Sequence, residues 1–262
     1  MKPIIRWMGG KTQLLPEILK RVPVEYSVYH EPFVGSGAVY FALAPKNAVL
    51  SDANSELIDF YGTVRKQHTD IAALFRTFKN DKETYINIRS WDRQTSFKYD
   101  PVMRAARFLY LNKTAFQGMW RVNSSNQHNT PYGRPRSICL VPGTLEEFAE
   151  ATAGVKFTSD PFEVSFERMQ RDDFAYVDPP YVDAYASYTS RGFSIADHER
   201  LRDCCVAASE RGVKLLISNS DCEWVMNAYS MFTIEQVNVK RTVSAKSSSR
   251  GKTTELLIRN YA

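Results

Sequence analysis

The chain has 262 residues, 44% of them hydrophobic and 24% charged, which suits one ordinary domain carrying an insertion and argues against disorder. Lys and Arg total 34 against 29 Asp and Glu, a net charge of +5; this mild basic bias is compatible with a nucleic-acid partner and does not establish one. No apolar run approaches the ~20 residues that cross a bilayer, and no pair among Cys139, Cys204, Cys205 and Cys222 has zinc-ligand spacing, so no membrane, no metal and a reducing, cytoplasmic compartment are expected.

The first residues, Met1-Lys2-Pro3-Ile4-Ile5-Arg6, lack the apolar core of a signal peptide and read as mature sequence. Residues 27–66 alternate strand and helix. Ser27-Val28-Tyr29-His30-Glu31 predicts a strand, Gly35-Ser36-Gly37 a turn, and Ala38 to Ala44 the start of a helix. Ala48-Val49-Leu50-Ser51 predicts a second strand ending at Asp52, and Asn54 caps a helix with Leu57, Ile58, Tyr61 and Val64 on one face. The alternation predicts an α/β fold with a parallel, doubly wound sheet.

The middle of the chain differs. Ile71, Leu74, Phe75 and Phe78 predict one amphipathic helix, and Asp100-Pro101 opens another, with Asp as cap and Pro at the first position. Residues 112–142 are rich in Asn, Ser, Gly, Pro and Arg and predict a polar loop or hairpin. Thr144-Leu145-Glu146-Glu147 has the form of a capping box. The α/β pattern returns near 155: Phe174-Ala175-Tyr176-Val177 predicts a buried strand ending at Asp178, and Ser194 caps a helix closed by Gly212. Strands follow over 213–218, 231–240 and 254–261, with a basic, Ser-rich stretch from Arg241 to Lys252 between the last two.

Three motifs carry chemistry. In Glu31-Pro32-Phe33-Val34-Gly35-Ser36-Gly37, glycines after a first strand let a ligand approach the backbone, and the following helix offers free N–H groups. Asp52 ends the next strand about 20 residues on, where a carboxylate accepts from ribose hydroxyls; a helix cap is its alternative role. Together they suggest a nucleoside-containing cofactor. The second motif is Asp178-Pro179-Pro180-Tyr181, directly after an apolar strand. Its prolines fix the backbone and remove two donors, leaving carbonyls as acceptors. A carboxylate and a carbonyl at a strand end can both accept from one NH₂ group. That favours the pyramidal amine and frees its lone pair, while Tyr181 can stack on the attached base. The third, Trp7-Met8-Gly9-Gly10-Lys11, can hold a carboxylate or phosphate, and lacks the glycine spacing of a Walker motif.

These motifs, in this order, resemble the Dam-type N6-adenine DNA methyltransferases over nearly the whole chain. The resemblance includes Arg121-Val122-Asn123-Ser124-Ser125-Asn126-Gln127-His128-Asn129-Thr130-Pro131-Tyr132-Gly133-Arg134 and the tail from Ala245 to Lys252. It looks closest to the GATC-methylating enzymes of streptococcal type. It implies a Rossmann-like S-adenosylmethionine-dependent methyltransferase domain in two pieces, 1–61 and 153–262, and a mainly helical target-recognition domain over 62–152. By the same resemblance, Asp178, Pro179, Pro180 and Tyr181 are catalytic. Lys11 holds the methionine end of the cofactor, with Gly9 and Gly10 shaping that turn and Trp7 in the cofactor-binding set, Phe33, Gly35 and Gly37 line its pocket, and Asp52 binds its ribose. Asp160 and Phe162 fall where the family places residues near the cofactor's adenine, with Pro161 intervening. Arg121 is expected to read a guanine, the usual bidentate partner of Arg in the major groove, with Asn123, Pro131, Tyr132 and Arg134 beside it. Lys246, Arg250 and Lys252, with Arg104, Arg107, Lys113, Arg134, Arg136 and Arg241, form a candidate phosphate-binding set; a solvated surface charge is the other reading of each. Within the recognition segment, Thr114, Gln117 and Trp120 depart from the commonest family residues. His128 stands where the family usually has Phe, which predicts a looser hairpin.

The implied partner is duplex DNA, with the target adenine flipped into the pocket beside Asp178; no obligate protein partner is expected. A cytosine-N4 methyltransferase is the rival enzyme, since cytosine also presents an exocyclic amine. A non-catalytic DNA-binding protein on the same fold is the rival outside catalysis. Asp before Pro-Pro-Tyr favours adenine, by family analogy.

Overall fold

The computed structural model describes residues 1–94, 97, 100–182, 193–240 and 252–262. Its elements in chain order are α1 (Leu15–Leu19), β1 (Tyr29–Glu31), α2 (Ala38–Leu43), β2 (Ala48–Ser51), α3 (Ser55–Arg76), α4 (Lys82–Arg89), α5 (Pro101–Thr114), α6 (Thr144–Ala151), β3 (Val155–Thr158), α7 (Phe162–Glu167), β4 (Phe174–Val177), α8 (Ile195–Glu210), β5 (Lys214–Ser220), α9 (Glu223–Ala228), β6 (Thr233–Lys240) and β7 (Lys252–Arg259). Two compact units result. One comprises Met1–Gly10, Gly35–Phe41 and Asn54–Phe157, the other Lys11–Val34, Ala42–Ala53 and Thr158–Ala262. The division differs from the predicted 62–152 insertion. Helix α3 packs along α5 and α6, so its first turns go with the helical unit instead of ending a catalytic piece at residue 61.

The strands form one sheet of order β3-β2-β1-β4-β5-β7-β6. Strand β1 pairs in parallel with β2 and β4, β4 in parallel with β5, and β7 lies antiparallel between β5 and β6. Strands β1 and β4 are buried at every residue; the apolar run of β4 suits a sheet covered on both faces, while in β1 the buried His30 pairs with Asp173 and the buried Glu31 accepts from the Tyr29 hydroxyl. The chain runs from β1 to β2 on one side and returns at β4 on the other. The carboxyl ends of β1 and β4 therefore flank the switch point where open α/β sheets bind ligands.

The core of this second unit joins Ala175 and Val177 of β4, Leu215 and Ile217 of β5, Leu256 and Ile258 of β7, and Leu201, Cys205 and Ala208 of α8. Strand alternation then puts Glu255 on the opposite face of β7 from Leu256 and Ile258. Ser194 and Asp197 close a full capping box on α8, and Gly212, at φ 90°, turns the chain into β5. The cysteines are all free thiols.

In the helical unit, the Asn54 side chain accepts from the Leu57 N–H and the Asp100 side chain from the Met103 N–H, as their sequence positions predict. The separate helix expected around Ile71 is the continuation of α3 past a kink at Gln67 (φ −138°). Thr144 is not a cap. Gly143 occupies that place at φ 83°, and Thr144 already lies inside α6, so the expected capping box does not form. Phe108 stacks on Phe60 at 4.8 Å, and Tyr61 on Phe148 at 5.2 Å. Helix α4 has no counterpart among the predicted elements, because only Tyr85 and Ile88 are buried in its eight residues and so short a helix shows no period.

Candidate active site

Asp178 follows β4 directly, and its side chain is 16% exposed. Its Oδ1 accepts from the Lys11 ammonium at 2.8 Å and from the Ser218 hydroxyl at 2.8 Å. Ser218, on β5, is fully buried and shares a second hydrogen bond of 2.9 Å with the Tyr176 hydroxyl. Among the described residues no hydrogen bond reaches Oδ2 of Asp178. Burial pushes the Asp178 carboxyl above its usual value, and the Lys11 charge and the Ser218 hydroxyl pull it partly back.

Pro179 is buried and Pro180 exposed. The Tyr181 ring lies under the Lys11 ammonium, 4.5 Å from ring centre to nitrogen. Its hydroxyl donates to Glu255 Oε2 at 2.6 Å, and burial drives its ionisation far above the ordinary phenol range. The Val182 N–H after the motif reaches Asn219 Oδ1 at 3.4 Å. Lys11 thus contacts both Asp178 and Tyr181 of the motif.

The same unit carries part of the expected cofactor set. The Phe33, Phe162 and Phe193 rings meet at 5.7 to 5.8 Å. Asp52 follows β2, with its N–H on the Thr158 carbonyl at 3.3 Å. Asn54, two residues on, does the capping, so that alternative for Asp52 falls away. Asp160 is ion-paired to Arg168 at 2.6 Å, with over a third of its side chain exposed. Among the described residues, no group of three or more His, Cys, Asp or Glu is placed to hold a metal ion.

The helical unit holds the other glycine turns. Gly9, Gly35 and Gly37 have φ of 75°, 46° and 69°, conformations open to glycine. A Cβ on Gly35 would come within 2.7 Å of the Trp7 ring, and the Tyr61 hydroxyl donates to the Gly35 carbonyl at 2.7 Å. Trp7 stacks on Phe108. Gly10 closes a turn onto the Trp7 carbonyl at 3.3 Å. Trp7 therefore braces the Gly35 turn.

The polar segment is a hairpin. Asn129 N–H donates to the Arg121 carbonyl and Asn123 N–H to the Gln127 carbonyl, both at 2.9 Å. Arg121 is exposed, with its Nε on Asn129 Oδ1 at 2.8 Å. Pro131 and Arg134 are exposed as well. Asn123 builds the turn, its side-chain oxygen accepting from the Ser125 and Gln127 N–H groups. The Tyr132 hydroxyl is committed to Asn80 at 2.9 Å. A Cβ on Gly133 would lie 2.7 Å from the Ala115 carbonyl, so the close crossing there requires glycine. Phe116, at the entry to the hairpin, is 47% exposed beside Gln117 at φ 55°.

His128 does not loosen this hairpin. It is 1% exposed and lies against Trp120 at 4.9 Å, filling an aromatic place as a neutral ring. Two members of the phosphate set are corrected. Arg107 is 2% exposed and donates to Asp92 and to the Ile88 and Arg89 carbonyls, while Arg104 is held by Asp59 at 2.6 Å and Glu56 at 3.4 Å. Arg107 lies on the buried side of α5, which composition alone does not reveal, while Arg104 stays partly exposed in its ion pairs. Lys246, Arg250 and Arg241 lie outside the described residues, and Lys252 opens β7. Ser218 and Glu255 were not singled out from the sequence, since a lone Ser and a lone Glu in apolar strands carry no motif.

The chain is similar to known proteins over nearly its whole length. A type II methyltransferase of Lactococcus lactis subsp. cremoris is 41% identical over 272 residues, covering all of this chain and 96% of the relative. A type II methyltransferase of Methanocaldococcus jannaschii is 32% identical over 287 residues, covering 100% of this chain and 99% of the relative. A DNA adenine methylase of Vibrio cholerae is 32% identical over 266 residues, covering 98% of this chain and 95% of the relative. The family model described as D12 class N6 adenine-specific DNA methyltransferase matches residues 7–243, and the chain belongs to that family.

Proposed function

We propose that the protein transfers the methyl group of S-adenosylmethionine to N6 of an adenine flipped out of duplex DNA, with GATC as its site. The carrying observation is Asp178 at the carboxyl end of β4, with Oδ1 held by Ser218 and Lys11 and Oδ2 facing no hydrogen-bond donor among the described residues. An amine accepted by Oδ2 has its lone pair turned away from the base's ring system. Positive charge then grows on nitrogen during attack, and the adjacent carboxylate stabilises it without removing a proton beforehand. Tyr181 offers a ring face for the base, held on its hydroxyl side by Glu255. Holding the amine in a fixed position and orientation would supply the rest.

The residues of the second unit fit the cofactor's nucleoside: a carboxylate at Asp52 for the ribose and the Phe33–Phe162 aromatic pair for the adenine. When bound, S-adenosylmethionine supplies a methyl group on positively charged sulfur. Lys11, Gly9, Gly10, Gly35, Gly37, Trp7 and Asp160 join the cofactor set on sequence resemblance. Exposed Arg121 with Pro131 and Arg134 supports reading of the site from the hairpin, and Lys246, Arg250 and Lys252 are assigned to phosphates. The enzyme acts in the cytoplasm of a bacterial or phage-infected cell, without an obligate protein partner.

The adenine-specific family weighs against cytosine-N4 chemistry, and the complete Asp178–Tyr181 motif against a merely binding protein. Methylation rates on a GATC duplex and on every single-base variant test the specificity. A marked preference for GATC is expected, and a wild-type enzyme without one refutes that assignment while leaving adenine methylation standing.

A further inference from the structure

A carboxylate beside the candidate catalytic motif of a DNA-modifying enzyme is costly, because it repels phosphate and opposes ionisation of Asp178. Glu255 nevertheless stands there. It sits on β7 opposite Ser220 of β5, on the face of the strand away from the apolar core, and receives the Tyr181 hydroxyl at 2.6 Å. That length is typical of a hydroxyl donating to an ionised carboxylate, about twice the strength of a neutral pair. The backbone before Tyr181 is fixed by Pro179 and Pro180, and the Val182 N–H after it meets Asn219. The remaining freedom of Tyr181 is rotation of its side chain, and that is the freedom the Glu255 bond removes. Lys11 over the ring cannot do this alone, since a cation over an aromatic face does not fix the ring in its own plane.

We propose that Glu255 is a positioning residue, which holds the Tyr181 ring at the angle where the flipped target base stacks. It acts through Tyr181 and touches neither the base nor the methyl donor. The proposal rests on the methyltransferase reading of the same site.

The test compares wild type with Glu255→Ala, Glu255→Gln, Tyr181→Phe and the Tyr181→Phe/Glu255→Ala double variant, after circular dichroism and melting curves. Glu255→Ala and Tyr181→Phe should each lower kcat about tenfold with KM for the methyl donor unchanged, the scale of one hydrogen bond to a charged group. The double variant should fall no further than either single one, because both remove the same bond. Glu255→Gln keeps an acceptor and should stay within about threefold of wild type. A second readout needs no methyl donor: with 2-aminopurine at the target position, emission of the DNA complex should change equally in Glu255→Ala and Tyr181→Phe, and little in Glu255→Gln. Unchanged kcat and emission in Glu255→Ala overturns the proposal. Multiplying effects in the double variant, or a Gln variant as impaired as the Ala variant, do so too. Absence of adenine methylation by the wild type refutes the function itself, a different result from wild-type transfer that ignores Glu255.

Discussion

Replacing His128 by Phe tests how the recognition hairpin is built. The His128 ring is 1% exposed, among the described residues neither ring nitrogen makes a well-formed hydrogen bond, and it packs against Trp120. Burial lowers its pKa from 6.5 to about 3, assisted by the positive charges of Arg107 on α5, Arg89 on α4 and Arg121 on the hairpin; the Met119 carbonyl offsets this in part. The Asp92 carboxylate is turned to the His128 N–H and to Arg107, so it anchors the backbone without protonating the ring. The unfolded chain takes up a proton near pH 6.5 and the folded one does not. The contribution to stability is therefore complete above pH 6.5 and is lost as pH falls from 6.5 toward 3. At pH 5 the loss comes to about 2 kcal/mol from the two pKa values. Urea unfolding of wild type and His128→Phe at pH 7.5 and pH 5.0 measures it. Titrations common to both proteins, including those of His30 and His198, cancel in the comparison. Wild type should lose about 2 kcal/mol more than the variant, and the variant should be at least as stable at pH 7.5, since it removes two buried ring nitrogens that lack well-formed hydrogen bonds. Equal losses in the two proteins refute the buried, neutral role of His128.

Three further outcomes follow from the site. Ser218→Ala removes a hydrogen bond to Asp178 worth about 1.5–3 kcal/mol, so kcat should drop at least tenfold. With that bond gone the Asp178 carboxyl rises further, and the acidic limb of the rate profile should move to higher pH; an unmoved limb contradicts the assigned bond. Arg121→Ala should cost ~1–3 kcal/mol of discrimination at one base pair, seen in rates on single-base variants of the site; an unchanged preference profile removes Arg121 from base reading. Substituting Lys246, Arg250 and Lys252 together should weaken binding to all sequences and reduce the log–log salt slope by up to about three units, whereas an unchanged slope makes them ordinary solvated charges.

Much of the architecture is legible in the chain itself, because the chemistry sits where local rules are strongest. The apolar run Phe174–Val177 ending at Asp178 marks β4, and Asn54, Asp100 and Ser194 mark helix starts by hydrogen bonds to their own backbone. What stays hidden is set by contacts distant in sequence. Ser218 and Glu255 approach the Asp178–Tyr181 motif through strand pairings of β4, β5 and β7. Arg107 looks like a surface charge until α5 is seen to turn it onto Asp92, and His128 looks like a defect until the ring of Trp120 is seen over it. Thr144 fails as a cap because Gly143 can adopt the left-handed conformation that the turn into α6 takes.

The central claim is that Asp178 accepts from an adenine amine during methyl transfer. Nucleoside analysis by mass spectrometry, on duplex DNA incubated with methyl donor and either wild type or folded Asp178→Ala, tests it most directly. Wild type should yield N6-methyladenine and the variant essentially none. N4-methylcytosine from the wild type, or near-normal N6-methyladenine from the variant, would contradict it.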